Sequence, residues 1–179
     1  MRLVRLAITL ALAAYGAVLL MEVTPWAVVD HVNLAIHEAG HIVFLPFGDT
    51  MHWLGGTLLQ LLVPLVFCIY FWRAADEHGA SVALWWVGEN CWNIALYIRD
   101  AEAMELPLVG GGEHDWNTLL TAWGVMDRYV QIADTVRMTG TALFALSIMW
   151  GLAALWRGPT SVAAPRMLRP APGAAARRR

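Results

Sequence analysis

The sequence predicts an all-α fold: a polytopic membrane helical bundle of about four spanning helices plus a partly embedded helix carrying an H-E-x-x-H motif. Three observations predict it. Hydrophobic residues make up 59% of the 179 positions and charged residues 15%, against about 45–50% and about 25% in a soluble domain. That excess excludes an ordinary cytosolic enzyme, and it equally excludes a disordered chain, which needs low hydrophobicity. The apolar residues fall into long runs with almost no charge. The charges themselves are polarised: there is no lysine, eight of the twelve basic residues are arginines near the two ends (Arg2, Arg5, Arg157, Arg166, Arg169, Arg177, Arg178, Arg179), and all 14 acids lie between Glu22 and Asp134. An acidic middle argues against nucleic-acid binding. Basic ends match cytoplasmic anchors under the positive-inside rule. Cys68 and Cys91 sit in separate apolar runs, which suggests neither a disulfide framework nor a C-x-x-C metal site.

Each element follows in order. Residues 6–21 carry no charge and follow two arginines, so they read as an uncleaved first span, with a cleaved signal core as the alternative. Residues 26–47 form a polar helical run. Asp30, Asn33, His37 and His41 recur at spacings of three and four and share one face. That face must look at protein, metal or water rather than lipid. Residues 53–72 read as a span anchored by Trp53 and Trp72, with Gly55 and Gly56 allowing close helix approach. Residues 79–98 read as a further span with one mid-span acid, Glu89. Asp115 is placed to cap a short helix over 116–131. Residues 138–156 are charge-free and span again. The expected domain organisation is one membrane-embedded helical domain over 1–157 and a disordered Pro/Ala/Arg-rich tail over 158–179. Four spans put both termini in the cytoplasm. They also bring the end of 26–47, the start of 53–72, the end of 79–104 and the 105–133 segment to one side.

The chemistry lies in His37-Glu38-Ala39-Gly40-His41. On a helix, residues four apart are separated by about 40° around the axis. Both imidazoles can therefore bind one tetrahedral metal while Glu38 stands over its open side as general base. Zn2+ suits imidazole and carboxylate ligands. A chance match in a chain of this composition has a probability of about 1%. A catalytic zinc takes three protein ligands, so one must come from elsewhere. His114, after three glycines, and Asp100, on a helix face with Asn93 and Tyr97, rank close together. Asp115 follows, and Glu89 comes last at ~21 Å from the shared end of its helix.

The stretch Asn33 to Phe44, NLAIHEAGHIVF, resembles the active-site helix of intramembrane zinc metalloproteases of the site-2 protease type. Over about residues 30–145 the chain is also similar to small bacterial membrane proteins in which HEAGH precedes three further segments. Here these are GGTLLQ (Gly55–Gln60), YIRDA (Tyr97–Ala101) and HDW (His114–Trp116). The resemblance implies His37 and His41 as zinc ligands and Glu38 as catalytic base. Site-2 proteases take a third ligand from a later Asp-Gly motif; here Asp100 is followed by Ala101, and the third ligand stays open.

Three functions compete. The first is a membrane-embedded zinc metalloprotease of the bacterial inner membrane, cutting a membrane-protein or peptide substrate. The second is a zinc hydrolase of a lipid or another amide. The third is a non-enzymatic protein with a structural metal. Membrane lipids are the expected surroundings in all three.

Overall fold

The first helix, α1 (Arg2–Leu20), is one of six in a computed structural model that describes residues 1–21, 28–106 and 113–157. The expected disordered tail over 158–179 and most of the Gly-rich loop lie outside the described residues. After α1 come α2 (Val28–Phe44), α3 (Asp49–Arg73), α4 (Glu77–Arg99), α5 (Asp115–Ala122) and α6 (Tyr129–Arg157). No strand occurs among the described residues.

Three helical segments are long and apolar enough to cross a membrane: Arg2–Leu20, Asp49–Arg73 and Met126–Arg157. The expected fourth span, 79–98, is a helix but is not among them. Its polarity has a physical reason. α4 runs through the middle of the bundle, packed against α1, α3, α5 and α6, and it buries His78, Ser81, Glu89 and Asn90 alongside Ile94 and Ile98. A helix surrounded by helices is released from the apolar demand that lipid makes. The outer helices show the complement. Leu3, Val4, Val66, Tyr70, Trp72, Met138 and Met149 are exposed, whereas Asp30, Asn33, His37, Gln60, Glu89 and Asp115 are buried. Polar inside and apolar outside is the arrangement lipid requires.

Close helix approach depends on glycine. A Cβ on Gly40 would overlap the Gly55 backbone, and one on Gly55 would meet the Gly40 carbonyl, so α2 and α3 touch backbone to backbone. Gly88 and Gly140 do the same for α4 and α6. Between α2 and α3 the chain makes a 3-10 turn, Leu45–Phe47. It then reverses at Gly48, with φ 96° and ψ 170°, a conformation essentially reserved for glycine.

The predicted helix over 116–131 is instead split. α5 ends at Ala122, Gly124 turns with φ 67°, and a 3-10 turn at Met126–Arg128 leads into α6. α6 therefore starts before the charge-free stretch from 138. Its early charges are satisfied by neighbours: Asp134 pairs with Arg99, and Arg137 donates to the Leu20 carbonyl at 3.2 Å.

One end of the bundle gathers the basic ends around the α3–α4 turn. Arg5 pairs with Asp76 at 3.3 Å and Arg157 with Glu77 at 3.1 Å. The start of α1 and the end of α6 thus lie together. At the opposite end, the close of α2, the start of α3, the close of α4 and α5 converge, as the chain direction requires.

Candidate metal centre

The HEAGH segment lies wholly within α2. Its periodicity buries His37, leaves His41 half-buried and exposes Glu38. A carboxylate joins the two rings from 78 positions further along the chain: His37 Nε2 is 2.7 Å from Asp115 Oδ2. His41 Nε2 is 3.2 Å from the same oxygen. One ligand atom from each of His37, His41 and Asp115 lies within 4.8 Å of the others, the single such metal-capable group among the described residues.

Asp115 arrives there because α5 is pinned. Trp116, Leu119 and Leu120 are buried in one core with Ile94, Ile98, Ala101 and Ala133. The helix start is fixed by His114, whose Nδ1 accepts the Asn117 amide at 3.2 Å. His114, rather than Asp115, is thus the cap, and Asp115 as first helical residue points its carboxylate at α2. The Asp115 amide donates to the Tyr97 hydroxyl at 3.2 Å, and the Tyr97 ring meets His37 edge-on.

The second nitrogen of each histidine is also engaged. His41 Nδ1 donates to the His52 carbonyl at 2.8 Å, and His52 Nδ1 returns a bond to the His41 carbonyl at 3.1 Å. A carbonyl only accepts, so in neutral His41 the proton is on Nδ1 and Nε2 carries the lone pair. His37 Nδ1 lies 3.1 Å from Gln60 Oε1. The His41 Nε2 lone pair and the Asp115 oxygen therefore face each other, with His37 Nε2 beside them, an arrangement that is repulsive without a proton or a cation between them.

The donor set fits zinc. Tetrahedral bonds of about 2.0–2.2 Å place ligand atoms roughly 3.3 Å apart. The His41–Asp115 separation of 3.2 Å already matches, and the His37–Asp115 contact of 2.7 Å needs only a small opening. Without metal, a proton serves instead. The hydrogen bond to Asp115 raises the His41 pKa above 6.5 against the opposing effect of burial. Burial pushes the Asp115 carboxyl up, but the bonds from His37 and His41 more than offset it and hold it below its ordinary value.

The other candidates are placed elsewhere. His114 is buried with its ring centroid 4.2 Å from that of Tyr97, and its Nε2 lies 3.3 Å from Asp100 Oδ2. Burial lowers its pKa, opposed by Asp100. Asp100 also accepts the Glu105 and Leu106 amides at 2.9 and 3.0 Å. These two predicted ligands thus lie beside each other at the end of α4, outside the His37–His41–Asp115 group. Glu89 lies deeper, accepting from Asn33 at 2.8 Å.

The chain matches no protein-family model, no curated protein and no solved structure. The site must be read from its own chemistry.

Sequence reasoning met Gln60 only as the last residue of the GGTLLQ segment and gave it no role. Its signal was available: a lone carboxamide in an uncharged helical run costs free energy unless bonded. It is 2% exposed and donates to Asn93 Oδ1 at 2.7 Å.

Proposed function

We propose that this chain is a membrane-embedded zinc metallohydrolase that cuts a peptide bond at or near the bilayer surface. One observation carries the reading: His37, His41 and Asp115 converge on a point that a cation would satisfy, with Glu38 next to it in sequence and exposed. His37, His41 and Asp115 would hold the metal. Bound there, zinc supplies Lewis acidity toward a carbonyl and toward water. Glu38 is close enough for its charge to act on His41. It accepts a proton from the attacking water and returns it to the leaving nitrogen. Tyr97 and the His52 carbonyl hold the ligands in place through the bonds given above.

The inside-out polarity supports a bilayer setting, with α4 as a fourth, largely enclosed crossing and α2 embedded without crossing. The meeting of Arg5 and Arg157 at one end supports both termini on one side, which the positive-inside rule assigns to the cytoplasm of a bacterial inner membrane. The second reading, a hydrolase of a lipid or a small amide, draws on one observation. Peptidases often bind an extended substrate along a strand edge, and the described residues contain no strand.

The test uses full-length protein in nanodiscs, with metal content and hydrolysis measured together. Glu38→Gln is expected to retain zinc and lose hydrolysis of quenched peptide substrates. A wild-type protein that holds zinc yet cleaves only lipid or small-amide substrates favours the second reading. Undiminished hydrolysis in Glu38→Gln overturns both.

A further inference from the structure

Behind His37 a line of buried polar side chains runs away from the metal centre. His37 Nδ1 meets Gln60 Oε1 at 3.1 Å, Gln60 Nε2 donates to Asn93 Oδ1 at 2.7 Å, and Asn93 Nδ2 donates to Asp30 Oδ1 at 2.9 Å. It joins three helices: α2 supplies both ends, α3 and α4 one link each. We propose that Asp30 is a positioning residue that, through Asn93 and Gln60, fixes the proton of neutral His37 on Nδ1 and so turns the Nε2 lone pair toward the metal centre.

The argument is one of direction. A carboxamide has a donor end and an acceptor end, and a neutral imidazole has one nitrogen of each kind. Such a line can be satisfied in either sense, and only its termini decide which. Asp30 terminates it with a carboxyl oxygen, Oδ1, which accepts from Asn93. Asn93 must therefore present its nitrogen to Asp30 and its oxygen to Gln60, Gln60 must present its oxygen to His37, and Nδ1 must carry the hydrogen. Reversal would set the Asn93 oxygen against that Asp30 oxygen.

A second anchor points the same way. The Trp86 indole, a donor only, gives its hydrogen to Asn33 Oδ1 at 2.8 Å, so Asn33 Nδ2 is the end that faces Glu89, at 2.8 Å. The Glu89 side chain in turn hydrogen-bonds to Asp30. Pro64 adds a local reason for Gln60 to be the link in α3. It lacks the N–H that would bond the carbonyl four residues earlier, that of Gln60, and so loosens the helix there. The consequence for metal affinity rests on the metal-centre reading; the tautomer does not.

The test has two parts on the full chain in nanodiscs. In the first, zinc affinity is measured by chelator competition. Asp30→Asn is expected to weaken it by the roughly 10–100-fold typical of lost outer-shell partners, because an amide at position 30 permits both senses of the line. Adding Gln60→Glu is expected to restore most of it, since a carboxylate next to His37 again can only accept. A purely structural role for Asp30 would not be rescued from position 60. Unchanged affinity in Asp30→Asn, or no recovery in the double variant, overturns the proposal. The second part is independent of metal. In metal-free Asp115→Ala protein, where no carboxylate competes for Nε2, 15N NMR of labelled histidine above the imidazole pKa is expected to show His37 protonated on Nδ1. A wild-type chain that takes up no zinc sinks the metal-centre reading alone, and this spectrum then decides. His37 protonated on Nε2 overturns the proposal.

Discussion

Asp115 Oδ2 sits 2.7 Å from His37 Nε2, while its neighbour His114 turns away to pack on Tyr97. One position along the chain separates a ligand candidate from a helix cap. Asp115→Ala is accordingly expected to weaken zinc binding by more than the roughly 10–100-fold that outer-shell losses cost. His114→Ala is expected to leave the metal largely in place and instead to lower stability by about 1 kcal/mol through the lost cap. Zinc titration and thermal unfolding of the two variants separate these effects. The reverse order would place His114 at the metal.

Protonation competes with the metal. Zinc needs neutral His41, whose pKa Asp115 raises above 6.5. Affinity is therefore expected to begin falling at a pH above 6.5 as the solution is acidified, and Asp115→Ala should move that onset downward. For the metal-free protein the signs are opposite on the two partners. The raised His41 contributes stability that is full below its unfolded value and lost as pH rises through the folded one. The depressed Asp115 contributes stability that is full above its unfolded value and lost as pH falls through the folded one. Metal-free protein is thus expected to gain most from this pair between about pH 4 and 6.5, as thermal unfolding across that range would show. A pH-independent zinc affinity from 5 to 8 would contradict the pairing.

Gly56 presses on His37. A Cβ there would come within 2.5 Å of His37 Nε2 and 2.6 Å of two ring carbons. Gly56→Ala is expected to displace the imidazole and reduce zinc affinity at least tenfold, about 1.4 kcal/mol. Gly48→Ala meets no atom within 4 Å, but its φ of 96° strains any side chain. It should cost about 1–3 kcal/mol of stability and spare the metal. Equal zinc affinity in Gly56→Ala and wild type would remove His37 from the centre.

The pairing of Arg5 with Asp76 and of Arg157 with Glu77 brings the start of α1 and the end of α6 to one end of the bundle. Reporters fused at the N-terminus and after Arg157 are expected to report the same compartment, the cytoplasm. Opposite compartments would mean that α2 crosses fully.

Local signals were legible in the sequence. The helical class, the polar face Asp30–Asn33–His37 and the paired histidines of α2 all follow from periodicity and composition, which act over a few residues. The common side shared by α2, α3, α4 and α5 followed from chain direction alone. Three things were decided only by tertiary packing. The length of α6 depended on Arg99 and the Leu20 carbonyl satisfying Asp134 and Arg137. The polarity of α4 made sense only once other helices enclosed it. The third side chain at the histidines was the hardest. Neighbouring positions on a helix point about 100° apart, so the choice between His114 and Asp115 turned on where α5 begins. That start is fixed by Trp116, Leu119 and Leu120 locking into a core built from distant helices, and a burial contact of that kind leaves no local trace in the chain.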